Sequence, residues 1–150
     1  MKPFQYRATI VRVIDGDSIE VDIDLGFWVF LKKQNVRLFR IDSPESRTRD
    51  LIEKQFGILT KTVVESFCPV GSTVLLETDL RDHDKFGRIL GRVEVIRNGE
   101  PIILNDYLLE NRLAVDYEGQ NKSDIEAAHL ANREYLLENG KIELDPDFGK

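Results

Sequence analysis

One helical stripe stands in a chain whose first two-thirds otherwise read as strand. Ile52, Phe56, Leu59, Val63 and Phe67 recur at three- and four-residue steps, the period that gathers side chains on one face of an α-helix. Pro69-Val70-Gly71 should end it. Before it, Tyr6 to Ile14 mixes β-branched with polar residues and runs into Asp15-Gly16, a turn signal. Ser18 to Ile23 then puts Ile19, Val21 and Ile23 on one face and Glu20 and Asp22 on the other. A third strand is predicted over Val36 to Ile41, stopped by Pro44, which cannot donate a ladder hydrogen bond. After the stripe come strand patterns over Thr73 to Thr78 and Ile89 to Ile96, the second reaching Asn98-Gly99, a strong hairpin signal. Leu104 to Glu110 predicts a short helix. Ser123-Asp124-Ile125-Glu126 is a capping-box pattern opening a last helix to about Glu138, with Gly140 just beyond.

The order β-β-β-α-β-β-α-α, with one helix between the third and fourth strands, is that of an OB-type barrel. The expected fold is therefore α+β, a five-stranded OB-type β-barrel with three helices. With no internal repeat, low-complexity block or linker, residues 1–150 read as a single domain, its core about 6–138 and its C-terminal tail about 141–150.

Composition excludes some roles. No run approaches the ~20 apolar residues of a membrane-spanning helix, and Met1-Lys2-Pro3-Phe4-Gln5 has no secretory-signal pattern. The single cysteine, Cys68, cannot close an internal disulfide and suits a reducing compartment, so the cytoplasm is expected; Cys68 itself reads as a small buried hydrophobe. A net charge of −6 counts against a tight, general nucleic-acid binder, because phosphate contacts dominate such affinity. A cation bound by carboxylates would lower the local negative field.

Three segments carry chemistry: Val13-Ile14-Asp15-Gly16-Asp17-Ser18, then Val36-Arg37-Leu38-Phe39-Arg40-Ile41-Asp42-Ser43-Pro44-Glu45, then Asp84-Lys85-Phe86-Gly87-Arg88. In order, residue type and approximate spacing they resemble the staphylococcal nuclease (thermonuclease) family, over about residues 6 to 138. The middle segment is the specific one. The residue types suit phosphodiester hydrolysis, which needs an activated water and positive charge where negative charge grows. Arginine fits the second task, since its planar fork matches phosphate oxygens and stays charged.

The resemblance implies roles. Arg37 and Arg88 would clamp the scissile phosphate, Arg88 near the leaving oxygen, and Glu45 would orient or deprotonate the attacking water. Asp17 and Asp42 would ligate a cation by carboxylate and Ser43 by its backbone carbonyl, where the family usually has threonine. Oxygen ligands select a hard cation; the family precedent is Ca²⁺, with Mg²⁺ the other candidate. Lys85 and Tyr117 would touch substrate, Tyr117 by stacking on a base or else as a structural tyrosine. Asp15 is read as a turn residue or a support to the ligands. The implied activity is an endonuclease acting on DNA, RNA or both, with single strands preferred, and leaving 3′-phosphate ends; a monomer is expected. The competing readings are a non-catalytic OB-type module that binds nucleic acid or a protein partner, and a phosphodiesterase for a small nucleotide.

Each feature also has a plainer explanation: a hairpin turn at Asp15-Gly16, a surface ion pair for Arg37 and Glu45, a solvated loop at 84–88. Arg40 stands where the family carries a small or apolar residue, and a surface ion pair is expected of it. Phe27 and Trp28 are expected in the core, with a stacking platform or partner patch as the alternative. His83 is expected to be exposed, and the sequence suggests no partner for His129. A geometric demand remains. On an alternating strand Arg37, Phe39 and Ile41 share a face and Asp42 lies on the other, so the strand must end, twist or bulge near Asp42 for Arg37 and Asp42 to meet.

Overall fold

The structure, a computed structural model, describes residues 3–78 and 87–149. Five strands close a barrel: β1 (Gln5–Asp15), β2 (Ser18–Asp24), β3 (Phe30–Leu38), β5 (Thr73–Thr78) and β6 (Ile89–Arg97). They run in the order β3-β2-β1-β5-β6, and a short parallel pairing of β3 with β6 seals the cylinder. All other barrel neighbours are antiparallel. β1 pairs with β2 on one edge and β5 on the other, and its register shifts twice against β2; bulges of this kind bend a strand round a corner. This is the expected OB-type α+β fold.

Alternation explains the interior. Ile10, Ile19, Val21, Val36, Leu38, Leu76 and Val93 are each at most 1% exposed. The helix α1 (Leu51–Phe67) follows the two-residue strand β4 (Ile41–Asp42) and lays Phe56, Thr60, Val64 and Phe67 onto this core. The Asp50 side chain caps it by accepting from the Ile52 and Glu53 N–H groups. β7 (Glu100–Ile103) pairs with β6 across Asn98-Gly99, as the hairpin signal required. The helix α2 (Leu104–Glu110), the two-residue strand β8 (Val115–Asp116) and α3 (Lys122–Glu138) complete the chain's elements. Residues beyond α3 fold back on α1, where the Asp145 N–H donates to Gln55 Oε1 at 2.8 Å.

Asn105 joins sheet to helix. Buried in α2, it accepts from the Val93 N–H at 3.0 Å and donates to the carbonyls of Phe39 (3.1 Å) and Gly91 (3.2 Å).

Three expectations need correction. The third strand begins at Phe30, not Val36, and stops at Leu38; Ile41 and Asp42 belong to β4, which pairs with β8 in a separate two-stranded sheet. Residues 30–33 are all exposed, so they carry no burial alternation for a sequence reading to find. The last helix is capped by Asn121, whose side chain accepts the Asp124 N–H, rather than by Ser123. Phe27 and Trp28, expected in the core, stand outside it at 91% and 93% exposure. Among the described residues no helix is long and apolar enough to cross a membrane.

Candidate active site

The site begins at a bend. After Leu38 the chain turns out of the barrel at Arg40, whose φ is +63°, a conformation uncommon for a non-glycine residue. β4 then runs against β8, pairing Asp42 with Val115. The bend meets the parity demand, because Asp42 swings back toward the strand it left. Arg37 Nη1 donates to the Ile41 carbonyl at 3.0 Å, and Nη2 reaches Asp42 Oδ1 at 3.4 Å. The Arg40 carbonyl accepts the Tyr117 N–H at 2.8 Å, and its side chain forms the expected surface ion pair, with Glu118.

Asp17 enters from the β1–β2 turn. A Cβ on Gly16 would lie 2.7 Å from Thr60 Cγ2 and 2.9 Å from Ser43 Oγ, so only glycine lets this turn rest directly on α1 and Ser43. Asp15, as a turn residue, accepts the Gly16 N–H at 2.9 Å. Asp17 Oδ2 accepts the Ser43 N–H at 3.2 Å and lies 3.4 Å from Arg37 Nη1. One guanidinium thus spans two carboxylates.

Glu45 follows on the same segment, past the buried Pro44. Its backbone lies against α1 at Gly57, where a Cβ would come within 2.3 Å of the Glu45 carbonyl oxygen. No real side chain tolerates that approach. The Glu45 N–H is 3.4 Å from Glu53 Oε1.

Arg88 is half-buried and immediately precedes β6. The parallel register sets Leu90 opposite Arg37, so Arg88 leaves the neighbouring strand two residues from that position. The Tyr117 ring centroid lies 5.7 Å from the Arg37 guanidinium carbon. The structure thus brings Arg37, Asp17, Asp42, Ser43 and Tyr117 together, with Glu45 beside them, and sets Arg88 just ahead of the adjoining strand β6. Lys85 and His83 lie outside the described residues.

His129 was not anticipated. From α3 it sets Nε2 2.8 Å from Asp42 Oδ2. A carboxylate only accepts, so this nitrogen carries the proton. No local pattern signals the contact, since the partners stand 87 residues apart in sequence.

The pocket is short of positive charge. Burial pushes the Asp17 carboxyl above the usual carboxylate range, against the pull of Arg37 and the Ser43 N–H, and the Asp42 and Asp15 carboxylates push it further. Glu45 is raised as well, by lost hydration first and then by Asp15, Asp17, Asp42 and Glu53. Ser43 Oγ is buried without a hydrogen-bond partner among the described residues. Mutually repelling carboxylates, an unsatisfied hydroxyl and the nearby Ser43 backbone make an all-oxygen donor set, which fits a hard cation. Among the described residues no three His, Cys, Asp or Glu side chains are arranged to close round a metal; here two carboxylates and a backbone carbonyl would have to serve. Cys68 is remote from this chemistry, its thiol pushed up to about 12 by burial.

A closed OB-type barrel with an arginine–carboxylate cluster where a strand bends out defines a class of barrel proteins with a site at the strand ends. The comparisons narrow the class. The family model "Staphylococcal nuclease homologue" matches residues 35–139, and this chain belongs to the staphylococcal nuclease family. It is 33% identical over 84 residues to a thermonuclease of Staphylococcus hyicus, an alignment covering 56% of this chain and 46% of that protein. The chain therefore matches about half the length of that relative.

Proposed function

We propose that this chain is a Ca²⁺-dependent nuclease, a hydrolase that cuts phosphodiester bonds within single-stranded DNA, and RNA as well, leaving 3′-phosphate ends. The observation that carries this reading is the junction of Arg37 with Asp17 and Asp42, with Glu45 alongside. Family membership and the thermonuclease relative support it. We read the protein as one monomeric nuclease domain, working in the cytoplasm, where its single buried cysteine meets reducing conditions.

Asp17, Asp42 and the Ser43 carbonyl would hold the Ca²⁺, with Mg²⁺ the alternative. When bound, the cation supplies positive charge against the phosphate oxygens. Arg37, released in part from its carboxylates, binds a non-bridging phosphate oxygen through its fork. Arg88 meets the charge that develops on the departing oxygen. Glu45 takes the proton of the attacking water on its carboxylate, a task suited by its raised proton affinity. Tyr117 packs a base beside Arg37, and Lys85 adds a phosphate contact.

The test is digestion of single-stranded DNA with Ca²⁺, with Mg²⁺ and with chelator, comparing wild type with Glu45→Gln and Arg88→Ala. Each variant is expected to lose about two to three orders of magnitude in turnover. A wild type inert with every divalent cation leaves a non-catalytic binding module. Undiminished activity in Arg88→Ala would mean that the site is misassigned.

A further inference from the structure

Among the described residues, two hairpins have turns that take positive φ at both central residues. One is conventional. Asn98 and Gly99 join β6 to β7 at φ +54° and +79°, the residues such turns select because they tolerate that conformation. The other joins β2 to β3, and its central residues are Phe27 and Trp28, at +56° and +62°. The Val29 N–H donates to the Gly26 carbonyl and the Leu25 N–H to the Val29 carbonyl, each at 2.9 Å, while Asp24 Oδ1 accepts the Gly26 N–H at 2.8 Å. The turn is held firmly in a geometry that bulky L-residues disfavour.

Packing does not offset that cost. Phe27 and Trp28 project into solvent at 91% and 93% exposure, and Leu25, Val29, Phe30 and Leu31 are exposed with them. A strained turn that presents two uncovered rings is suited to receive something flat and apolar.

We propose that the Phe27–Trp28 turn is a second contact surface for single-stranded nucleic acid, with bases stacking on the two rings. The proposal rests on the substrate class read above. Stacking is indifferent to sequence, since every base has a π-face. It also supplies affinity that a chain of net charge −6 does not gain from phosphates. The base of the turn is electrically balanced, two lysines standing with two aspartates: Lys32 lies 3.4 Å from Asp22, Lys33 also acts on that carboxylate, and Asp24 lies at the end of β2. That balance disfavours an anionic lipid surface, which recruits unanswered basic clusters. Continuity favours a nucleic-acid strand, because β3 carries both Phe30 and Arg37, opposite Asp24 and Ser18 of β2 and so roughly 20 Å apart at about 3.4 Å per residue. Only a substrate several nucleotides long can reach both.

Trp28 is the sole tryptophan of the chain, so its emission reports the contact directly. The full chain, in chelator to prevent cutting, is titrated with a long oligothymidylate and with thymidine dinucleotide. The long strand is expected to quench Trp28 and the dinucleotide to leave it unchanged. The paired substitution Phe27→Asn with Trp28→Gly installs the residues the turn geometry prefers. It should melt at or above the wild-type temperature, yet raise KM for long single strands roughly tenfold with kcat unchanged. Unchanged emission with the long strand overturns the proposal, whether or not the strand is cut. So does a blue shift seen only with phosphatidylcholine vesicles, or only on concentrating the protein. Quenching in a protein that cuts nothing with any cation keeps this surface and defeats the nuclease reading alone. Cutting without quenching does the reverse.

Discussion

His129 holds Asp42 from the far side of the pocket. Its Nε2 lies 2.8 Å from Asp42 Oδ2 while Arg37 engages Oδ1, so each carboxylate oxygen has its own partner. The imidazole Nδ1 is buried with no hydrogen-bond partner among the described residues, which leaves the contact to Asp42 as the ring's polar anchor. Where Asp42 is the metal ligand proposed above, such a hydrogen bond fixes its orientation, and losing one typically costs ~10–100-fold in metal affinity or activity. His129→Ala should weaken Ca²⁺ binding within that range, read by titration calorimetry, whereas His129→Gln, whose Nε2 mimics the imidazole donor, should recover most of it.

The raised Asp17 and Glu45 carboxyls make two statements about pH. In the proposed reaction Glu45 must be ionised to accept a proton, so the acid limb of the rate profile should lie above the ordinary Glu value of ~4.3. For Asp17 the folded state binds its proton more tightly than the unfolded chain. The resulting stability is fully present below the unfolded value of ~3.9 and is lost as pH rises through the raised folded value. In chelator at neutral pH, Asp17→Asn should therefore raise the melting temperature over wild type. The advantage should vanish below about pH 4, as a series of melting curves would show.

Gly57→Ala is a substitution at a distance from any reacting atom. The new Cβ meets the Glu45 carbonyl at 2.3 Å, and backbone on both sides leaves little room to relax. Overpacking of this kind typically costs ~1–3 kcal/mol. Because the atom that must retreat belongs to Glu45, kcat on single-stranded DNA should fall more than the melting temperature alone would explain. Normal kcat in the Gly57→Ala protein would show that Glu45 acts from elsewhere.

Asn105→Ala should be costlier to fold. It strips partners from the Val93 N–H and from the Phe39 and Gly91 carbonyls at once, and each buried unsatisfied group costs ~1–3 kcal/mol. Phe39 also precedes the Arg40 bend, so urea unfolding should show a large loss of stability, and the surviving folded fraction a lowered turnover.

Much of the barrel could be read from alternation, since β1, β2, β5 and β6 each present a buried face to one interior. The first half of β3 could not, because its residues are exposed and only hydrogen bonds to β2 define it. β4 and β8, two residues each, are too short to show any period. At the site, the local segments gave Arg37, Asp42 and Glu45 together, yet a flat strand would have set Arg37 and Asp42 apart. The positive φ at Arg40 that reunites them leaves no mark in a residue type ordinarily found elsewhere. Asn105 and His129 were illegible for a different reason, as their partners are distant in sequence. Phe27 and Trp28 were misplaced in the core because hydrophobicity records the cost of exposure and not the turn that imposes it.

The β4–β8 ladder and the His129 contact also set a timetable. Strands β1, β2, β3, β5 and β6 are all complete by residue 97, but β4 has no ladder partner until β8 is made. Asp42 gains His129 later still. The last helix therefore completes two things at once: it brings His129 to Asp42, and it seats Leu136 in the core the barrel strands share.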